Sequence, residues 1–167
     1  MRHICYHLML LCSILFTSYS FASLKDVKID LVIVNKSSSS MKVMHQGKIL
    51  KTYRIAMGDV PKGHKLTEGD QRTPQGRYIL DYKKADSAFY RSFHISYPND
   101  EDKLRAKALG ISPGGFIMIH GENPQSALPP LEAQKYNWTN GCIAVTNKEM
   151  DELWQIIEPG TPIEIWP

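Results

Sequence analysis

Residues 116–147 read FIMIHGENPQSALPPLEAQKYNWTNGCIAVTN. Two short apolar runs, FIMI and CIAV, flank a polar stretch rich in Pro and Gly-type breakers. The first run predicts a compact buried strand ending at His120. The second predicts a strand that begins at Cys142, after the turn residues Thr139, Asn140 and Gly141. The stretch from Glu122 to Trp138 has no clear period, and structureless segments of that length inside compact domains are usually functional. The simplest geometry sets the two strand ends side by side, with 122–138 arching over them as a partial lid.

Around this unit the chain reads as mostly strand. IDLVIVN (29–35) is rich in β-branched residues. MKVMHQGKILKTYRIAMG predicts two strands about a tight His45-Gln46-Gly47-Lys48 turn, with Ile49, Tyr53, Ile55 and Met57 largely on one face. Residues 58–76 form a loop of mixed charge. GRYILDYK then resumes strand with Tyr78, Leu80 and Tyr82 on one face, and FHISYP (93–98) is a further strand stopped by Pro98. A charged helix is expected from about Asn99 to Gly110. Thr146-Asn147-Lys148-Glu149 has capping-box spacing, and Met150, Leu153, Trp154 and Ile157 follow as one helical stripe of core residues. Pro159-Gly160 ends that helix and TPIEIW closes the chain as a strand. Many strands and two short helices give a mainly β fold with minor α content.

The chain has three cysteines, Cys5, Cys12 and Cys142. The N-terminus, with Arg2, an apolar run from about Ile4 to Phe16 and Ser20-Phe21-Ala22, has the pattern of a secretory signal peptide cut after Ala22. A membrane anchor would need a longer run, of about 20 residues. Leu11 disfavours lipid attachment at Cys12. The expectation is a cleaved leader, 1–22, and one exported domain, 23–167, in the periplasm or cell envelope, with no further membrane-spanning segment. Cleavage leaves one cysteine. An unpaired cysteine in an oxidising compartment suggests intermolecular pairing or a reactive thiol, and a buried inert Cys is the bland alternative. The formal net charge of +3, about +2 without Arg2, does not suggest nucleic acid, and no Lys/Arg cluster is interleaved with aromatics.

Cys142 and His120 are the residues with chemistry. An imidazole beside a thiol takes its proton, and the imidazolium then stabilises the thiolate. Gly141 lets the backbone turn tightly and lets a substrate approach the sulfur. The backbone N–H groups of Gly141 and Cys142 would face the oxyanion of an acyl-transfer intermediate. One His and one Cys at this separation also occur by chance. Zinc is the other class to weigh, but C-x-x-C, H-x-x-x-H and H-E-x-x-H spacings are all missing from residues 23–167. His94 reads as a structural strand histidine.

At these residues the sequence resembles the L,D-transpeptidase catalytic domain, or YkuD domain, whose motif is His-Gly, a loop, then Ser/Thr-x-Gly-Cys and a short strand. Here that is His120-Gly121 and Thr139-Asn140-Gly141-Cys142-Ile143. TPQG (73–76) matches the family's T-P-x-G turn, and GHKLTEGDQRTPQG, FHISYP and GCIAVTN look most like the YafK-like branch. The resemblance runs over about residues 27–166. It implies a YkuD-type mixed β-sandwich or barrel-like domain with short helices. It implies Cys142 as nucleophile on the diaminopimelate–D-Ala bond of a peptidoglycan stem peptide, and His120 as general base and then acid. Gly141 and Asn140 would shape the oxyanion site, and Thr139 and Gly121 would shape the site and orient His120.

The implied product is a thioester, passed to an amine in cross-linking or protein attachment, with neither metal nor organic cofactor. Hydrolysis of the same thioester, trimming stem peptides or releasing a peptidoglycan-linked lipoprotein, is the alternative. A non-catalytic peptidoglycan-binding module is the second, though binding alone needs no thiol. Two positions depart from many members: Asn140 stands in place of His and Ala144 in place of Arg. In the 58–76 loop, His64, Lys65 and Arg72 are candidates to meet stem-peptide carboxylates and Asp70 an amine, against the reading of a solvated mixed-charge loop. Tyr90 and Ser87 are weaker candidates.

Overall fold

The structure is a computed structural model that describes residues 27–167; the leader reading falls on residues outside that range. Eight strands are β1 (Leu31–Asn35), β2 (Ser40–His45), β3 (Lys48–Arg54), β4 (Gly76–Ser87), β5 (Tyr90–Ile95), β6 (Met118–His120), β7 (Ile143–Ala144) and β8 (Thr161–Trp166). Three helices are α1 (Asp100–Leu109), α2 (Pro130–Ala133) and α3 (Asn147–Ile156). The strands form one sheet in the order β3-β2-β1-β8-β4-β5-β6-β7, in which β1–β8 and β6–β7 are parallel and the other pairs antiparallel. The sheet curls into a half-barrel. Just beyond β3, Ala56 bridges Ala144 on β7, so the two ends of the strand order meet.

Alternation along the strands builds the core. Val32 and Val34, Met41 and Val43, Tyr78 and Leu80, Phe93 and Ile95, and Ile163 and Ile165 all turn inward and are buried. Helix α3 supplies Met150, Leu153 and Ile156 to the same cluster, joined by Ile157 just past its end, and Trp154 packs on Phe93 with ring centroids 5.5 Å apart. Its capping box closes as the sequence predicts: Thr146 accepts from Glu149 N, and the Glu149 carboxylate accepts from Thr146 N. The β2–β3 hairpin turns through Gln46 (φ 49°) and Gly47 (φ 73°), the two positive-φ positions a tight two-residue turn requires.

Three sequence expectations change. A register shift between Val43 and Met44 places Leu50 as an extra residue in β3, so Ile49 falls out of phase with Tyr53 and is 53% exposed. A second shift, between Leu80 and Lys83, takes Tyr82 out of the core face; it stacks on His94 instead, centroids 4.5 Å apart. Strand β4 runs on to Ser87 and pairs with β5 from Tyr90, a hairpin the periodicity did not show. Lys84, Ala85 and Asp86 are all exposed there, so this part of the strand is held by backbone pairing and leaves no alternating apolar face to read.

Helix α1 starts at the expected cap, Asn99, and ends at Gly110 in the left-handed region (φ 65°). Its buried Asp102 fastens the 58–76 loop to the sheet. One oxygen lies 2.9 Å from His64 Nε2 and 3.0 Å from Arg105 Nη1, and the other accepts from Tyr78 Oη at 2.9 Å. Asp102→Ala takes the buried acceptor away from His64 and Tyr78 and removes half of the capping box. Its expected cost is about 3 kcal/mol, measured by urea unfolding. A change below about 0.5 kcal/mol would show that the junction contributes nothing.

Candidate active site

Register brings His120 and Cys142 together. In the parallel β6–β7 pair Ile119 lies beside Ile143 and His120 beside Ala144. Ile119 and Ile143 are fully buried in the core. Period-two alternation therefore turns His120, and Cys142 one residue before β7, toward the opposite face. They sit diagonally on adjacent strands, a separation side chains can span.

His120 is 3% exposed. Its Nδ1 lies 2.8 Å from the Gly121 carbonyl oxygen. A carbonyl only accepts, so Nδ1 carries the proton and the Nε2 lone pair is left free. The ring stacks on Phe89 (4.6 Å) and meets Trp138 edge-on (5.6 Å). This enclosure withdraws the imidazole from water and brings its pKa down to about 4, with only the Gly121 carbonyl pulling the other way. Burial likewise pushes the Cys142 thiol up, opposed by a Met118 backbone hydrogen bond and by the Lys65 charge. The resting site is thus a neutral imidazole beside a neutral thiol, not the ion pair the sequence suggested. Cys142 is partly exposed and free, and its sulfur donates a long contact of 3.7 Å to the Phe116 carbonyl.

The turn before Cys142 is fixed from within. Thr139 Oγ1 accepts from Gly141 N (3.1 Å) and donates to the Cys142 carbonyl (2.7 Å). Gly141 has φ +122°, and a Cβ there would stand 2.6 Å from the Arg72 carbonyl oxygen. No side chain fits without moving the 58–76 loop. Because Gly141 N–H is taken by Thr139, the Cys142 N–H is the better placed of the two amides the sequence offered for an oxyanion. Asn140 is exposed at the turn's tip. Gly121 is equally constrained: a Cβ would meet Asn147 Oδ1 at 2.3 Å and the Phe89 carbonyl oxygen at 2.9 Å. Asn147 Oδ1 accepts from Glu122 N at 2.9 Å, while Asn147 N donates to Glu122 Oε1 at 2.7 Å, pinning the start of segment 122–138 to α3.

The proposed substrate contacts divide. Asp70 is the hub of its own loop. It accepts from Lys65 Nζ (2.8 Å), Leu66 N (2.8 Å), Thr67 N (3.2 Å) and Arg72 N (3.1 Å). Burial alone would raise its pKa, but these donors outweigh it and hold the carboxyl at about 2. The amine Asp70 meets is thus Lys65, itself 3% exposed. His64 is held between Asp102 and Gln75 N. Tyr90 donates to Asp151 at 2.8 Å and lines a cavity of about 390 Å³ together with Glu122, Leu128, Gln134, Trp138 and Asn147. Ser87 Oγ accepts from Phe89 N within the β4–β5 turn. His94 pairs with Asp81 at 2.7 Å on the strand, as a structural histidine would. Arg72 stands apart, and its side chain has no hydrogen-bond partner among the described residues.

Phe89 and Asn147 were not foreseen. Phe89 lies in the hidden hairpin turn, and Asn147 reads as an ordinary first residue of a helix. Segment 122–138 is a loop carrying the one-turn helix α2. Among the described residues no three His, Cys, Asp or Glu side chains converge on a point where a metal would sit, and no helix is long and apolar enough to cross a membrane.

A neutral pair predicts the pH behaviour. The rate of Cys142 alkylation by iodoacetamide should keep rising with pH through 9, since the thiol lies above the usual range of about 8.5; a plateau reached near pH 6–7 would establish an ion pair instead. His120 also gives a stability signature. From its ordinary 6.5 down to about 4, the unfolded chain takes up a proton that the folded one refuses. Folding stability should therefore fall over that window as pH drops, by about 3 kcal/mol, and His120→Gln should flatten the fall. Equal pH slopes for the two proteins in chemical denaturation would contradict the buried neutral imidazole.

The chain is similar in sequence and fold to several known proteins. YafK of Escherichia coli K12 is 28% identical over 136 residues, 76% of this chain and 48% of that protein. YqjB of Bacillus subtilis is 28% identical over 138 residues, 80% of this chain and 69% of that protein. The chain thus spans about half the length of its Escherichia coli relative. Among solved structures, the helical cell shape determining protein Pgp2 of Campylobacter jejuni superposes with a TM-score of 0.62 at 29% identity, over 84% of this chain and 48% of that one. The L,D-transpeptidase catalytic domain model, YkuD, matches residues 29–165, and the chain belongs to that family.

Proposed function

We propose that the protein acts on bacterial peptidoglycan as an L,D-transpeptidase-type cysteine acyltransferase, with Cys142 as nucleophile and His120 as base. The observation that carries this is the free Nε2 of a neutral His120, on the same sheet face as Cys142 and locked in one tautomer by Gly121. Because neither group is charged at rest, the thiol proton passes to Nε2 as the sulfur attacks, rather than beforehand. The attacked carbon is the diaminopimelate carbonyl of a stem peptide bonded to D-Ala. The Cys142 N–H faces the oxyanion that forms. On collapse the C–N bond breaks, His120 returns the proton to the departing D-Ala amine, and the diaminopimelate acyl group remains as a thioester on Cys142. An amine acceptor then gives a cross-link or an attached protein, and water gives a trimmed stem peptide.

The site sits in an exported, envelope-located domain in this reading, with stem peptides as substrate and an envelope lipoprotein as one acceptor class. Pgp2, named for determining helical cell shape, supports a role in shaping the wall. The test is mass spectrometry of purified disaccharide-tetrapeptides incubated with the protein and with Cys142→Ala. Dimers joined through two diaminopimelates are the expected product; tripeptide alone would assign hydrolysis. His120→Gln should lower the rate by roughly 10²–10⁴-fold. No cysteine-dependent change in any muropeptide would reject the enzyme reading.

A further inference from the structure

Arg54, Arg77, Arg91 and Arg105 each have an acceptor: the Gln134 carbonyl, Glu164, Asp151 and Asp102 respectively. Arg72 has none among the described residues. It is only partly exposed, and its Nε is buried with nothing to donate to. A buried guanidinium N–H without an acceptor is costly, and this one belongs to a residue whose backbone touches the turn that presents Cys142.

Its place is well defined. The Arg72 carbonyl packs on Gly141 in the turn that presents Cys142, and its amide is tied to Asp70. The guanidinium lies against Gly63, where an added Cβ would be 3.7 Å from Nη1. A second cation is close. The Lys36 ammonium is buried, donating to the Gly63 carbonyl and, at 2.8 Å, to the Thr73 carbonyl. Burial first, and then the Arg72 charge, bring the Lys36 pKa down to about 8, with Asp70 opposing. Asp70 is the acid that offsets this pair, and its oxygens are already taken by Lys65 and three amides. Two cations are pressed together with a deficit of anion. Gly63 and Lys36 line a cleft of about 460 Å³ that also reaches Gln75 and Asn137, the latter in the segment leading into the Cys142 turn.

We propose that the Arg72 guanidinium, with Lys36 beside it, is the seat for a carboxylate of the peptide substrate on the loop side of Cys142. The proposal rests on the peptidoglycan reading and adds how the substrate is oriented. A guanidinium offers paired N–H donors matched to a carboxylate. A stem tetrapeptide carries three candidate carboxylates: on D-Glu, on the distal centre of diaminopimelate, and at the D-Ala terminus.

Binding to the Cys142→Ala protein, measured by calorimetry, separates this claim from catalysis. The probes are the disaccharide-tetrapeptide and three versions with one of those carboxylates converted to carboxamide. Arg72→Gln should weaken binding of the parent peptide by roughly 10–100-fold, the usual worth of a charged hydrogen bond, and Arg72→Lys should weaken it less. One amidated peptide should show the same loss with Arg72 present and no further loss in Arg72→Gln; which one it is identifies the carboxylate. Arg72→Gln should not lower the melting temperature and should raise it slightly, because it removes an unpaired buried donor and a charge that opposes Lys36; a clear drop would assign the weaker binding to unfolding and overturn the proposal. The proposal is overturned if Arg72→Gln binds all four peptides as Arg72 does, or if the Arg72 protein binds none of them. Cysteine-dependent turnover that Arg72→Gln leaves intact would keep the acyl-transfer reading and reject this one. Arg72-dependent binding without turnover would do the reverse.

Discussion

The site depends on a strand of two residues. Ile143–Ala144 is clamped on both sides: Val145 N donates to the His120 carbonyl at 3.0 Å, while Ala144 exchanges hydrogen bonds of 2.8 and 3.0 Å with Ala56. So short a strand gains little from its own ladder. It is held because the curled sheet delivers β6 to one edge and the chain beyond β3 to the other. That double pairing fixes the register, and register fixes which face Cys142 takes. A slip by one residue would turn the sulfur into the core and Ile143 out to the surface.

The surroundings follow from the clamp. Thr73 Oγ1 accepts from Gly58 N at 3.1 Å, and a Cβ on Gly58 would stand 2.2 Å from the Gln71 carbonyl oxygen. The 58–76 loop therefore lies directly on the segment that pairs with β7. Asp70 keeps that loop folded from inside, and Asp102 fastens it to α1 and β4. On the other flank, Phe89 and Trp138 enclose His120 while Asn147 and Glu122 tie segment 122–138 to α3. Enclosure sets the electrostatics. A dry imidazole and a partly buried thiol both favour their neutral forms.

Much of this was legible in the sequence, for identifiable reasons. The His120 and Cys142 strand ends, the caps at Asn99 and Thr146, and the Gln46-Gly47 turn are local signals, each written in a few adjacent residues. The pairing of β6 with β7 was inferred from two strand ends and a lid-like loop, and it holds. What stayed hidden depends on contacts distant in sequence. Ile49 is exposed because of a bulge that no periodicity announces. The β4–β5 hairpin has no apolar face. His64, Lys65 and Asp70 look like free loop charges until the fold shows their partners, and Arg72 is distinguished only because the fold leaves it without one.

The central claim is a covalent acyl intermediate on Cys142, formed with His120 as base, and intact-protein mass spectrometry after acid quenching tests it most directly. Mixed with disaccharide-tetrapeptide, the protein should gain the mass of the substrate minus D-Ala. The adduct should be cleaved by hydroxylamine, absent in Cys142→Ala and formed far more slowly in His120→Gln. An unmodified protein at early times, in a reaction that nonetheless consumes the tetrapeptide, would contradict the account.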